Sequence, residues 1–167
     1  MLHVDVQGDG PDLVLLHGWG MHSGIWSNWA RQLGQCFRIH RVDLPGHGDS
    51  PYRGDGELGD WATAVQGVVP EQPWWLGWSL GGLVSLAAAA AHPQAIRGVV
   101  LLATTPRFVV GAGWEQAVDA GVFDQFAKQL QADVGRTLLR FLSLQVKGAD
   151  HGGETLRQLR SGNTGMC

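Results

Sequence analysis

Cysteine is almost missing from this chain. The two present, Cys36 and Cys167, stand far apart in its 167 residues, so neither a disulfide framework nor a cysteine-based metal or redox motif is available. Cys36 is expected to be a packed thiol and Cys167 a tail residue. Charge is scarce as well. Only 16% of residues are charged and the formal net charge is -3, which removes the basic field that general nucleic-acid binding requires. The longest apolar run, around Leu83–Ala91, falls well short of the ~20 residues a membrane helix needs. The opening Met1-Leu2-His3-Val4-Asp5 lacks the basic start and apolar centre of a secretory leader. A soluble cytoplasmic protein, with no metal and no organic cofactor, is the expectation. What is abundant points elsewhere. Hydrophobic residues make up 44% of the chain, enough for one globular domain with a real core. The 25 glycines imply many tight turns, and five of the 8 tryptophans (Trp19, Trp26, Trp29, Trp74, Trp75) lie beside the motifs below.

Hydrophobic patterning orders the chain into alternating elements. Leu2–Gln7 alternates apolar and polar residues, the mark of a half-buried strand. Asp12–Leu16, Phe37–Val42, Trp74–Trp78 and Ile96–Ala103 are short apolar runs bounded by turn residues, and read as buried strands. Ile25–Leu33 and Leu58–Val69 have helical spacing, and Leu80–Ala91 is a helix closed by His92-Pro93. Strand–helix alternation predicts a parallel sheet covered by helices on both faces. After Thr105-Pro106 the pattern changes: Gly113 to about Leu159 reads as helical throughout, with two amphipathic helices broken near Asp133. The expected organisation is therefore a core over residues 1–106, a helical cap over 107–160 and an irregular tail over 161–167.

One strand-to-helix junction carries chemistry. Gly77-Trp78-Ser79-Leu80-Gly81 is G-x-S-x-G between a buried strand and a buried helix, the context in which that pattern forms a nucleophile elbow. Glycines two residues either side relieve the collision that so sharp a turn would cause, and Ser79 is expected to have positive φ. Ser79 is the candidate nucleophile, and the Leu80 N–H at the helix start a candidate oxyanion donor. A second donor is expected from His17-Gly18-Trp19-Gly20 after an earlier strand, through the Trp19 N–H. His17 itself reads as a structural hydrogen-bonding residue, and Asp43 in Asp43-Leu44-Pro45-Gly46-His47-Gly48-Asp49-Ser50 as part of a structural turn. Downstream of Ser79 the histidines are His92 and His151. The first closes the elbow helix about 18 Å away, and Asp150-His151 reads as a solvated loop.

With these three motifs in this order the chain resembles the α/β-hydrolase family. "LVLLHGWGMHSGIW", "VDLPGHGDS", "WLGWSLGGLVSLAAAAAHP" and "RFLSLQVKG" are similar to the carboxylesterases that hydrolyse the methyl ester of pimeloyl-acyl carrier protein in biotin synthesis. The resemblance covers roughly residues 10–160. It implies an α/β-hydrolase sheet with a partial helical cap, Ser79 as nucleophile, Trp19 and Leu80 as the oxyanion hole, and no cofactor. It implies substrate contacts at Trp19, Phe141, Arg136, Arg140 and Arg157, with Arg160 shifted by one position. The partner implied is an acyl carrier protein carrying an acyl methyl ester. Residues 126–160 hold six basic and three acidic residues, a positive segment in a negative chain, and carrier proteins are strongly acidic.

The departure from the family lies in the rest of the triad. A serine nucleophile needs a base and a carboxylate to orient it; in this family both follow the cap, on loops after later strands of the sheet. The expectation is a chain lacking the C-terminal strands, and a weakly active or inactive one. Two other readings stand beside it: an α/β-hydrolase esterase of different substrate, and a non-catalytic module that binds acyl carrier protein.

Overall fold

The computed structural model describes residues 1–52, 54, 56–148 and 150–161. Two compact units emerge, Met1–Thr104 and Thr105–Ser161. The first is built on five strands: β1 (Val4–Gln7), β2 (Asp12–Leu16), β3 (Arg38–Val42), β4 (Trp74–Trp78) and β5 (Gly98–Leu102). They lie in the order β1-β3-β2-β4-β5. β2 runs parallel to β3 and β4, and β4 parallel to β5. The four apolar runs thus form the parallel sheet expected of them, but the fourth, expected to be buried, is only partly so, because β5 lies at an edge of the described sheet. β1 adds an antiparallel edge, pairing Val4 with Val42 and Gln7 with Ile39.

Helices cover both faces, and the period of two along each strand decides which residue meets which layer. On one face Val14, Leu16, Val42 and Trp75 pack with Ala62 and Val65 of α2 (Leu58–Gln66) and with Val84 and Ala88 of α3 (Leu80–Ala91). On the other, Leu13, Leu15, Ile39 and Leu76 pack with Trp26 and with Ala30 of α1 (Ser27–Leu33). The run of small alanines in α3 lets it lie close on the sheet. α2 ends at Gln66, three residues before the expected Val69, because Gly67 takes the C-cap position. Cys36 departs from expectation: it sits in the turn before β3 and is exposed. β5 is an edge. It pairs with β4 on one side, no described residue pairs with it on the other, and Val100, Leu101 and Leu102 are exposed.

The Thr105–Ser161 unit is not helical from Gly113, as expected, but from Ala120. Val109 bridges Val118 and Gly111 bridges Trp114, a small looped-back segment whose partners are too few to show a periodic pattern. Three helices follow: α4 (Ala120–Ala132), α5 (Val134–Gln145) and α6 (Gly152–Ser161). The break at Asp133 is a cap, its carboxylate accepting the Arg136 N–H at 2.9 Å. Phe126 and Phe141 meet across α4 and α5 with ring centroids 6.1 Å apart. Residues 162–167, most of the expected tail, lie outside the described residues. Among the described residues no helix is long and apolar enough to cross a membrane.

Candidate active site

Ser79 occupies the turn between β4 and α3 with φ 52° and ψ -114°, as its frame of glycines requires. A Cβ at Gly77 would strike the Gly81 carbonyl and lie 2.5 Å from Gly82 N; one at Gly81 would meet the Leu16 carbonyl and lie 2.7 Å from the His17 carbonyl. Both obstacles are backbone, so neither can move aside. Gly81→Ala is therefore expected to lower stability by about 2–3 kcal/mol, read as a drop in urea midpoint; an unchanged midpoint would mean that the ends of β2 and α3 are less closely apposed than described.

The loop after β2 runs against the elbow. A Cβ on Gly18 would sit 3.4 Å from the Ser79 Cβ and 3.2 Å from the Trp78 ring, so the loop backbone packs closely on the elbow. His17 sets the orientation of that backbone. Its ring is fully buried, and Nε2 accepts the Leu44 N–H at 3.0 Å. A backbone N–H can only donate, so Nδ1 carries the proton and donates to the Gly18 carbonyl at 2.8 Å. The Met21 N–H donates to the same carbonyl. Among the described residues no peptide bond is cis, so with the Gly18 carbonyl drawn toward the His17 ring the Trp19 N–H points the opposite way. Burial pushes the His17 pKa down to about 3, against the opposing pull of its bond to Gly18. The ring is neutral at pH 7, in the structural role read from the sequence.

Asp43 is likewise structural. Its buried carboxylate accepts the Ser23 N–H at 2.6 Å and the Asp49 N–H at 2.9 Å. Burial alone would raise its pKa; the hydrogen bonds from Ser23, backbone and hydroxyl, and from the Asp49 N–H together hold it below the usual carboxylate range. This carboxylate ties the loop after β2 to the loop after β3. Its spacing of 20 residues from Ser23 left no mark in the sequence. His3, Asp43 and Asp49 bring one ligand atom each within 4.8 Å, but Asp43 has both oxygens engaged by backbone.

The remaining candidates are placed as follows. Leu80 is the first residue of α3, where helix N–H groups lack partners within the helix, and Trp19 stands half-buried in the loop after β2. Among the described residues no side chain hydrogen-bonds to Ser79 Oγ. His92 is the C-cap of α3, and Asp150 and His151 are exposed in the other unit. In that unit Arg140 and Phe141 line a cavity of about 200 Å³ together with Val122, Phe126, Thr137 and Leu144. Arg136 and Arg157 are exposed, on α5 and α6. The Arg160 side chain lies outside the described residues. Chemically, the Met1–Thr104 unit presents a hydroxyl on a left-handed turn with the Gly18 loop packed beside it. A hydroxyl so placed attacks a carbonyl when a base takes its proton and donors receive the oxyanion.

The chain belongs to the alpha/beta hydrolase fold family, whose profile matches residues 11–163. Among curated relatives it is 47% identical over 164 residues to a pimeloyl-[acyl-carrier protein] methyl ester esterase of Stenotrophomonas maltophilia, covering 95% of this chain and 61% of that protein. An esterase of the same name from Methylococcus capsulatus is 44% identical over 160 residues, covering 96% of this chain and 63% of that protein. The chain thus spans about three-fifths of the length of the curated relatives it matches. Among solved structures an esterase from Exiguobacterium antarcticum superposes with a TM-score of 0.87 at 19% identity, covering 97% and 63% of the two chains, a likeness of fold. The esterase RhEst1 from a Rhodococcus species gives 0.76 at 29% identity, covering 99% and 65%.

Proposed function

We propose that this chain carries the nucleophile and oxyanion hole of a cytoplasmic serine carboxylesterase acting on the methyl ester of pimeloyl-acyl carrier protein. The observation that carries the proposal is the elbow: Ser79 at φ 52° with Gly18 packed against it. Ser79 Oγ attacks the ester carbonyl, the Trp19 and Leu80 N–H groups receive the oxyanion, and methanol departs to leave an acyl-serine. Water then releases the free carboxylate and restores Ser79. The names of the relatives support the substrate class. The exposed Arg136, Arg140 and Arg157 supply the charge for an acidic carrier protein. Arg140 and Phe141 on the α4–α5 cavity offer a cationic rim and an apolar wall to an acyl chain.

A second reading, a module that binds acyl carrier protein without cleaving the ester, is favoured by one observation: no described side chain is bonded to Ser79 Oγ to take its proton. Both readings predict docking. Binding of pimeloyl-acyl carrier protein methyl ester is expected to weaken at least about 10-fold between low and high salt, and similarly in an Arg136→Ala, Arg140→Ala double variant. Titration of a fluorescent carrier protein measures it. Affinity indifferent to both changes would remove the carrier protein and leave an esterase of some other substrate.

A further inference from the structure

A serine at the start of a helix has an easier conformation than the one Ser79 adopts. With extended φ, its hydroxyl folds back onto the N–H groups of the first turn and caps the helix. Ser79 precedes α3, yet it makes no side-chain cap bond and stands at φ 52°. Something selects the strained state. The Gly82 and Leu83 N–H groups donate to the Ser79 carbonyl at 3.0 and 3.2 Å, but those bonds serve a capping serine equally well. Two further contacts come from the end of β5, the last rung of the β4–β5 ladder and one side-chain bond that lies outside it. The Ser79 N–H donates to the Leu102 carbonyl at 3.0 Å, and the Thr104 hydroxyl donates to the Ser79 carbonyl. Between these two anchors Ala103 takes φ 45°, a left-handed conformation that alanine rarely adopts. Thr104 is itself held in place: it fills the space left by a missing side chain, since a Cβ at Gly82 would lie 2.6–2.7 Å from its Cγ2, Cβ and Oγ1.

We propose that Thr104 is a positioning residue for Ser79: its hydroxyl and the Leu102 carbonyl grip the Ser79 peptide groups from either side of Ala103 and hold the serine in the elbow conformation, out of the capping one. The role rests on reading Ser79 as the nucleophile, because what the clamp preserves is an uncommitted Oγ. Thr104 touches no substrate; it acts through the backbone of Ser79.

The test compares Thr104→Val, which keeps the shape and removes the donor, with Thr104→Ser, which keeps the donor. Two readouts are taken on the purified chain. Backbone NMR gives φ at Ser79 from its chemical shifts and the hydrogen-exchange protection of its amide, with the Leu15 amide in β2 as the control for global folding. Intact-mass spectrometry follows phosphonylation of Ser79 by a fluorophosphonate, with Ser79→Ala as the blank. Thr104→Val is expected to shift Ser79 toward negative φ, to reduce protection of its amide at least about 10-fold with Leu15 unchanged, and to slow labelling about 10-fold. Thr104→Ser is expected to restore both. If Thr104→Val does not fold, Thr104→Ala against Thr104→Ser makes the same comparison. Unchanged φ and protection at Ser79 in the donor-less variant would overturn the clamp. Wild-type chain that takes no label, with the NMR effects intact, would instead remove the nucleophile from the reading and leave the clamp standing as backbone architecture.

Discussion

A p-nitrophenyl ester offered to the purified chain is expected to turn over about 10⁴–10⁶-fold more slowly than with a complete Ser-His-carboxylate enzyme. The chain has seven histidines, and their surroundings explain the expectation. His17 commits both ring nitrogens to backbone partners. His22 accepts the Gly24 N–H, His40 is bonded to Asp12, and His47 engages the Pro45 carbonyl. His3 stands beside Asp5, His92 ends α3, and His151 is exposed in the other unit. None, among the described residues, is bonded to Ser79 Oγ. The proposed oxyanion donors, Trp19 and Leu80, would then supply what residual rate there is. Spectrophotometric turnover with Ser79→Ala as control measures it. Fast turnover abolished by Ser79→Ala would show that a base acts on Ser79 in this chain, and would discard the non-catalytic reading.

Acid is expected to unfold the Met1–Thr104 unit unusually early, through His17. An unfolded histidine has its ordinary pKa of 6.5, whereas the folded ring titrates at about 3. Between these values the unfolded state binds a proton that the folded state refuses. Stability contributed by the neutral ring is therefore complete above about pH 6.5 and is lost progressively as pH falls toward 3. The loss approaches about 5 kcal/mol at the lower end, a large share of the 5–15 kcal/mol typical of a domain. His47, whose pKa burial also lowers, acts with the same sign. Asp12, held at about 2 by its bond to Arg38 against the cost of burial, adds its own loss only below pH 4. Urea midpoints from pH 7.5 to 4 measure the slope. His17→Asn retains a donor for the Gly18 carbonyl and cannot titrate. It is expected to be less stable at pH 7.5 but distinctly flatter toward pH 4; a slope equal to that of the wild-type chain would assign the acid sensitivity to other groups.

The parts of this molecule legible in its sequence are those that local rules decide. β2, β3 and β4 are apolar runs cut short by turn residues, and their ends fall within one residue of expectation. The elbow was legible because steric necessity writes itself as glycine at positions 77 and 81. What escaped was set by pairing at a distance. The turn Gly8–Pro11 leads from β1 straight to β2, yet β1 lies antiparallel against β3, pairing residues 32 to 38 apart in the chain. The Val109–Val118 bridge is one pair deep, too shallow for a period. Cys36 carried no pattern at all and turned out exposed. The cross-links that shape the candidate site, Asp43 to Ser23, His17 to Leu44 and Thr104 to Ser79, join residues 20 to 27 apart in the chain. Each residue type was visible and its partner was not.

The grip on Ser79 runs entirely through its peptide groups, and the space around the turn is cleared by glycines on either side. The hydroxyl takes part in none of the described hydrogen bonds that shape the turn. Position 79 is therefore a socket, in which presentation and reactivity are separately heritable. A thiol or a carboxylate installed there by a single codon change would be held by the same backbone bonds and the same frame of glycines. Such a scaffold can exchange one attacking atom for another without first having to relearn how to fold.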